Sequence, residues 1–199
     1  MPKLGCITPS RFKDVMTKGK KKGELFGQNA LKYADELAMN ITTGIEKPEV
    51  TAKSLEHGKE MEPFAIQAYE RENFVKVEQV EDSIYHPKFP YVCGKVDGLV
   101  FVDGVLEIKC PINPLNHWQN IMYMRQYHKD YKWQVQGYPW ITGRQWTDFA
   151  SFSADERWGN KMLYVHRIEK DPELIEQLEE RIPLFWDIVQ NMVLDYSKK

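Results

Sequence analysis

The sequence has little of what exported, membrane-spanning or disordered proteins contain. Its 199 residues include only three cysteines, which have no zinc-like spacing, so neither a disulfide framework nor cysteine chemistry is expected. No apolar run approaches the roughly 18 residues that span a bilayer, and the N-terminus lacks the apolar segment of a signal peptide. No repeat and no linker rich in Pro, Gly or Ser divides the chain. We therefore expect one soluble, cytoplasmic domain over residues 1–199.

An excess of charge of one sign is also lacking, as are the glycine-rich motifs that bind nucleotides. Lys and Arg total 27 against 29 Asp and Glu, so bulk charge does not attract nucleic acid. Neither GxGxxG nor a P-loop motif occurs, so no nucleotide cofactor is expected. The basic residues gather only locally, and a solvated loop or helix face is the simpler interpretation of each group. The two groups are Lys18, Lys20, Lys21 and Lys22, and Arg125, Lys129 and Lys132.

Apolar residues make up 42% of the chain and aromatic residues 13%, which is enough for a sizeable core. Helical periodicity is present at 24–39, after Ser54, at 116–142 and after Pro172. Strand-like runs lie at 74–80, 91–102, 105–110, 147–153 and 162–168. These patterns predict an α/β (α+β) fold with a central mixed or antiparallel sheet. The apolar stripe of the last helix is most simply core packing, with a subunit interface as the alternative.

Asp97, Glu107 and Lys109 are the residues that point to chemistry. Glu107 and Lys109 alternate with Leu106 and Ile108, so a strand projects both polar side chains from one face. Two carboxylates bind a hard divalent cation, which prefers oxygen ligands. A neighbouring lysine can orient or deprotonate a water molecule for attack on a phosphodiester. An ordinary exposed Glu/Lys pair is the commoner role of Glu-x-Lys alone, so the motif needs supporting context.

The register of the hairpin around residues 103–104 decides whether Asp97 joins the other two residues. A two-residue turn there would put Asp97 on the opposite face of the sheet. A three-residue loop ending with Gly104 in the left-handed conformation would place Asp97 opposite Lys109 and diagonal to Glu107. Only the second register builds a cluster.

The run of Asp97, nine residues and then Glu107-Ile108-Lys109 resembles the PD-(D/E)XK nuclease signature. The flanking segments make the chain similar to the phage lambda-type exonucleases, also called YqaJ-like viral recombinases or alkaline exonucleases. The matching segments are GCITPS at 5–10, AKSLEHGKEME at 52–62, VDGL at 96–99, LEIKCP at 106–111 and WQVQGY at 133–138. Ordered motifs over nearly the whole chain are more specific than any one of them. The resemblance implies a restriction-endonuclease-like core whose central mixed sheet is flanked by helices.

The resemblance implies a metal site at these residues. Asp97, Glu107 and the carbonyl of Ile108 would bind Mg2+, for which Mn2+ would substitute, with two ions when DNA is bound. Lys109 would serve the attacking water, and Glu62 matches an additional acidic residue near the metal. Glu62 has two interpretations from the residues alone. It could be a solvated helix glutamate, but Leu55, Glu62 and Tyr69 lie seven residues apart on one helix face, so it could equally point inward. The proline at position 63 suggests that this helix begins close to Glu62.

The resemblance also implies residues that grip DNA. Ser10 and Gln136 match positions that hold the 5'-terminal phosphate, although a helix cap and a surface amide are simpler roles for them. Lys3 stands where the family has an arginine. A lysine cannot make the bidentate contact with phosphate that an arginine makes. Leu55 matches an apolar wedge at the duplex fork, although burial in the core is the commoner fate of a leucine. Lys20 lies in the basic run at the place where the family contacts duplex DNA. We expect Gly137 and Pro139 to weaken the helix around Gln136.

The implied activity is that of a Mg2+-dependent exonuclease that degrades one strand of linear double-stranded DNA from its 5' end. It would release mononucleotides and leave a 3' single strand for recombination. The implied partners are two further copies in a homotrimeric ring and a single-strand annealing protein, in a bacterial or phage-encoded setting. Two alternatives are a structure-specific or restriction-like endonuclease and a catalytically silent DNA-binding module.

Overall fold

The computed structural model describes residues 5–21, 23–46, 53–123 and 131–199. The helices in these ranges are α1 (Phe12–Met16), α2 (Gln28–Thr43), α3 (Lys53–Asn73), α4 (Pro114–Tyr123), α5 (Lys132–Thr142) and α6 (Pro172–Ser197). The strands are β1 (Val77–Glu78), β2 (Ile84–Tyr85), β3 (Cys93–Gly94), β4 (Gly98–Val100), β5 (Gly104–Lys109), β6 (Trp146–Phe152) and β7 (Leu163–Glu169). Short 3-10 helices cover Pro9–Arg11 and Glu156–Lys161. Within the described ranges, no helix is long and apolar enough to cross a membrane.

Five strands form one mixed sheet in the order β1-β4-β5-β6-β7. β5 and β6 run parallel, and the other neighbouring strands are antiparallel. A parallel pair needs a crossover connection, which here contains α4 and α5. β2 and β3 pair separately. A mixed sheet flanked by helices confirms the fold class predicted from the sequence.

The alternation of β5 divides its residues between two layers of helices. Ile108 faces α3 and belongs to the hydrophobic cluster between that helix and the sheet. Val105 faces the other way and packs with Tyr138 of α5. Glu107 and Lys109 share the face of Val105 because they follow it at two-residue intervals. The charged residues of the motif therefore lie on the side of the sheet that α5 covers.

The last helix packs into the helical part of the core. Leu178, Ile182, Phe185 and Val189 are all fully buried, in a cluster with residues of α1, α2 and α5. Met192 continues the stripe and is partly buried against the same cluster. The prediction of core packing for this stripe is thus confirmed.

The β4–β5 hairpin differs in detail from the sequence-based expectation. Val100 pairs with Gly104, so the loop has three residues, as predicted for the register that builds the cluster. The left-handed residue is Phe101, with φ of 52°, so the prediction of a left-handed Gly104 was wrong. Glycine is required at position 104 for a different physical reason. A Cβ atom there would lie 1.9 Å from Cη2 of Trp146. The glycine allows β5 to approach the indole of β6.

The observed register is offset by two residues from the predicted one. The last paired residues are Gly98 and Leu106, so one further step places Asp97 across from Glu107 rather than across from Lys109. A shift of two residues keeps every side chain on the same face of the sheet. Asp97 itself lies at a bend just before β4, and its side chain accepts from the Ile108 amide, which brings it beside Glu107 as the cluster requires.

α3 and α5 both pass through residues that usually interrupt helices. α3 begins well before Pro63 and continues through it, so the prediction of a helix start near Glu62 was wrong. α5 includes both Gly137 and Pro139. A Cβ atom at Gly137 would lie 2.7 Å from the ring of Phe12, so the glycine allows α1 to pack closely on α5. Tertiary packing outweighs the low helix propensity of these residues.

Candidate active site

The side chain of Asp97 is hydrogen-bonded to the backbone of β5. The Ile108 amide donates a 2.6 Å hydrogen bond to Oδ2 of Asp97. Burial and the neighbouring Glu107 carboxylate raise the pKa of Asp97 well above its ordinary value, and Glu62 adds to the effect. Burial is the larger of these causes, so the ionised form of Asp97 is disfavoured mainly by loss of hydration and further by the neighbouring carboxylates.

Glu107 is almost fully buried, with 2% of its surface exposed, and is held from two sides. Gln134 of α5 donates a 2.7 Å hydrogen bond to its Oε1 atom, and Lys109 forms an ion pair with the same oxygen. The Gln134 amide also donates to the hydroxyl of Tyr138, 3.0 Å away and one helical turn along α5. The face of α5 that packs on β5 thus fixes the orientation of the buried carboxylate.

Lys109 lies between the two carboxylates and an aromatic ring. Its Nζ atom is 5.3 Å from the ring centroid of Tyr131, within range of a cation–π contact. Burial alone would lower the pKa of Lys109, but the charges of Glu107 and Asp97 outweigh burial and raise it. In the metal-free protein, the ammonium group is therefore the counter-ion of the buried carboxylates.

An open cleft of about 410 Å3 lies between α3, the end of β5 and the start of α4. Glu62 lines this cleft together with Leu55, Ile108 and Lys109. Partial burial raises the pKa of Glu62, opposed by Lys95 and reinforced by Glu107. The sequence-predicted Glu62, Leu55 and Lys109 are thus brought together around one space.

The residues at this end of β5 fit a hard divalent cation. Asp97 and Glu107 supply carboxylate oxygens close together, which are the donors that such a cation prefers. Among the described residues, no three His, Cys, Asp or Glu side chains are close enough to form a metal site on their own. The donor set would therefore be completed by the Ile108 carbonyl, water and substrate oxygens. Mg2+ characteristically keeps several such ligands.

The structure separates Gln136 from this cluster. Gln136 is 3% exposed and faces the junction between β7 and α6. Its amide donates to the Glu169 carbonyl at 2.9 Å and its carbonyl accepts from the Asp171 amide at 2.9 Å. These bonds give Gln136 a structural partner at each end. The sequence-based interpretation of Gln136 as a surface amide was therefore wrong. Gln134 is the glutamine that contacts the carboxylate of Glu107.

The other candidate DNA-binding residues have different surroundings. Ser10 is exposed on the 3-10 helix that packs over β3, where a Cβ atom at Gly94 would lie 2.9 Å from Pro9. Its hydroxyl lies 3.2 Å from that of Thr8. Lys20 is exposed in the loop between α1 and α2. Lys3 lies outside the described residues, as do Lys22, Arg125 and Lys129 of the basic runs.

Gln134 and Tyr138 are site residues to which the sequence analysis assigned no role. Both lie in the segment 133–138 that carried the resemblance, and their four-residue spacing puts them on one face of a helix. A polar pair at helical spacing within a matched motif was a usable signal. The expectation that Gly137 and Pro139 would weaken this helix hid it.

Comparisons with known proteins show which family and which solved structures this chain resembles. The model of the YqaJ-like viral recombinase domain matches residues 3–145. An alkaline exonuclease from Laribacter hongkongensis, LHK-Exo, is 31% identical, with a TM-score of 0.85 over 98% of this chain and 93% of that chain. The structure of LHK-Exo in complex with dAMP has the same identity and coverage and a TM-score of 0.86.

A phage-related exonuclease from Haemophilus somnus 129PT is 18% identical, with a TM-score of 0.78 over 96% of each chain, and this shows a likeness of fold. The sequence matches no curated protein. The family match spans the positions of Asp97, Glu107 and Lys109 and extends over most of the chain. The chain therefore belongs to the YqaJ-like viral recombinase domain family.

Proposed function

We propose that the protein is a Mg2+-dependent exonuclease that degrades one strand of linear double-stranded DNA from its 5' end. The proposal rests above all on the convergence of Asp97, Glu107 and Lys109 at one end of β5, beside an open cleft. A DNA exonuclease role is also supported by membership of the family and by similarity to LHK-Exo, an alkaline exonuclease. The complex of that relative with dAMP supports mononucleotides as the products.

The side chains have distinct roles in this proposal. Asp97, Glu107 and the Ile108 carbonyl would hold Mg2+, and Glu62 lines the neighbouring cleft, where a second ion would bind with DNA. The bound metal supplies a Lewis acid and lowers the pKa of a coordinated water, and Mn2+ can replace it. Lys109 would orient the attacking water and, in the fraction of molecules whose amine is neutral, take up its proton. Gln134 would keep Glu107 in place.

The direction of degradation is assigned to a pocket that recognises the 5'-terminal phosphate. Ser10 contributes a hydroxyl donor, Lys3 contributes positive charge, and Leu55 separates the last base pair at the rim of the cleft. Hydrogen bonds to a charged group contribute about 1.5–3 kcal/mol each, so a few such contacts favour 5'-phosphate over 5'-hydroxyl ends. The buried position of Gln136 gives it no direct part in this pocket.

The biological assembly in this proposal is a ring of three copies that encloses DNA. Net charge is -2, so positive potential would be needed only along the channel of the ring. The 3' single strand would pass to a single-strand annealing protein. Molar mass measured by light scattering, with and without DNA, tests the ring independently of cleavage.

Product analysis on defined DNA tests the activity. Linear duplex with a label near either the 5' or the 3' end is incubated with Mg2+, with Mn2+, or with EDTA, and the products are sized over time. We expect mononucleotides from the 5'-ended strand only, no reaction in EDTA, and faster reaction at 5'-phosphate ends. A covalently closed plasmid should stay intact. Nicking of the plasmid would indicate an endonuclease, and binding without cleavage would indicate a silent DNA-binding module.

A further inference from the structure

The loop between α1 and α2 presents a group of exposed positive charges. Lys18, Lys20 and Lys21 are all solvent-exposed within a few residues of one another. Like charges at this spacing repel each other, so a fixed loop shape needs compensating contacts. Within the loop, the Lys21 amide donates to a carboxylate oxygen of Glu24 at 3.2 Å. A buried arginine of α6 adds contacts from elsewhere in the fold.

Arg181 is only 8% exposed, and its guanidinium group reaches both ends of this loop. Its Nε atom donates to the Val15 carbonyl at 2.7 Å, and its Nη2 atom donates to the Thr17 carbonyl at 3.1 Å. The same Nη2 atom donates to the carbonyl of Leu25, on the other side of the loop. One side chain thus joins the segment that enters the loop to the segment that leaves it.

Further contacts close the loop at the same place. The Gly27 amide donates to the Thr17 carbonyl at 3.1 Å, and the Gly19 amide donates to the Glu24 carbonyl at 3.3 Å. The guanidinium carbon of Arg181 lies 4.7 Å from the ring centroid of Phe26, which is itself packed against Phe185 of α6. The base of the loop is therefore part of the core.

Burial of a charged guanidinium group is energetically unfavourable, because the lost hydration is only partly compensated by hydrogen bonds to neutral carbonyls. Within the described residues, the hydrogen bonds of Arg181 go to main-chain carbonyls of this one region. An apolar side chain would fill the same space without desolvating a charge. The arrangement is explained if the shape of the loop matters to the protein.

We propose that Arg181 is a positioning residue that holds Lys18, Lys20 and Lys21 in a preformed arrangement for binding the phosphates of duplex DNA. This inference rests on the proposed function and extends it, because it identifies the residue that positions the DNA-binding lysines. A preformed loop loses less conformational entropy on binding than a mobile one. Its contacts with phosphates are independent of DNA sequence.

The test is the salt dependence of binding to a short duplex with hydroxyl ends, measured by fluorescence anisotropy in EDTA so that no cleavage occurs. The slope of log affinity against log salt becomes shallower by about 0.9 for each phosphate that the protein no longer neutralises. We expect the triple variant K18A/K20A/K21A to lower the slope by about 2 to 3. Arg181→Met, which keeps all three lysines, should lower it by about 1 to 3.

Two further variants separate positioning from general destabilisation. Val189→Ala truncates a fully buried side chain of the same helix and should leave the slope unchanged. Gly23→Val strains the loop from within, because Gly23 has φ of 91° and open space around its Cα, and should lower the slope while the core stays intact. Gly23→Val therefore tests the role of loop shape even if Arg181→Met does not fold.

An unchanged slope in the triple variant would show that the loop does not contact DNA. An unchanged slope in folded Arg181→Met, or in Gly23→Val, would show that positioning by the loop base is unnecessary. Because binding is measured without metal, a protein that fails to cleave DNA but shows these slope changes would contradict the exonuclease proposal and leave this inference standing.

Discussion

The side-chain amide of Gln134 donates to Oε1 of Glu107 at 2.7 Å, so α5 orients a buried carboxylate of β5. Removal of this hydrogen bond in Gln134→Ala frees Glu107 to rotate toward Lys109 alone. We expect kcat for DNA hydrolysis to fall about 10- to 100-fold, as is typical when a residue that orients a metal ligand is removed. The measurement is the initial rate on linear duplex at saturating DNA and Mg2+.

Gln136→Ala is the matched control, two residues along the same helix. It removes hydrogen bonds to Glu169 and Asp171, so we expect a loss of stability of about 1–3 kcal/mol and a kcat close to that of the parent. A larger loss of kcat in Gln136→Ala than in Gln134→Ala would reverse the assignment of the two glutamines.

Asp97→Asn should increase the stability of the metal-free protein while abolishing cleavage. Burial and Glu107 raise the pKa of Asp97, so the folded state gains when this charge is removed. A gain of about 1 kcal/mol would raise Tm by roughly 2–4 °C in EDTA. Mg2+ should raise Tm in the parent and have little effect in the variant. A cleavage-competent variant, or equal Mg2+ stabilisation of both proteins, would contradict the metal site.

Lys109→Arg should be nearly inactive even though it keeps the positive charge beside Glu107. A guanidinium group does not give up its proton at accessible pH and fits the space of an ammonium poorly. Lys88→Arg, at an exposed position, is the control for the substitution itself. Substantial activity of Lys109→Arg on linear duplex would leave Lys109 with an electrostatic role only.

The stability of the fold should fall as pH drops from about 6.5 to about 4, because of His86. Burial lowers the pKa of His86 to about 4, against about 6.5 in the unfolded chain. Between these values the unfolded state binds the proton and the folded state does not, so stability increases with pH over this window. Urea midpoints at several pH values measure the effect.

His86→Asn tests the assignment to this residue. Nδ1 of His86 accepts from the amides of Lys88 and Phe89 at 3.1 and 3.2 Å, and the asparagine oxygen can replace it without titrating. The decline of the urea midpoint over this pH window should become shallower in the variant. An identical pH dependence in both proteins would assign it to other groups.

Two substitutions at His117 should separate the two contacts that anchor α4 beside the active site. Its Nδ1 atom lies 2.8 Å from the Ser151 hydroxyl and its Nε2 atom 2.8 Å from the Lys161 carbonyl. His117→Asn can retain the first contact and His117→Gln the second, so each should destabilise the protein less than His117→Ala. Urea denaturation of the three variants provides the comparison, and equal losses of stability would show that packing of the ring dominates.

The sequence by itself determined the elements and the chemistry of the motif. Alternation in β5 placed Glu107 and Lys109 on one face, and the apolar stripe of α6 indicated core packing, because both periodicities follow from local backbone geometry. The loop length needed to bring Asp97 to that face was also deduced correctly. The identity of the left-handed residue in that loop was not deduced correctly. Phe101 adopts this conformation, whereas Gly104 is required by its contact with Trp146 rather than by the turn.

Only the tertiary structure decided which glutamine of α5 faces Glu107. Gln134 and Gln136 are two residues apart, so a helix points them in different directions, and the choice depends on which side of α5 packs against β5. The same holds for Arg181, whose carbonyl partners are at least 156 residues away in sequence. Long-range contacts of this kind arise from how the helices pack, which no local pattern of residues encodes.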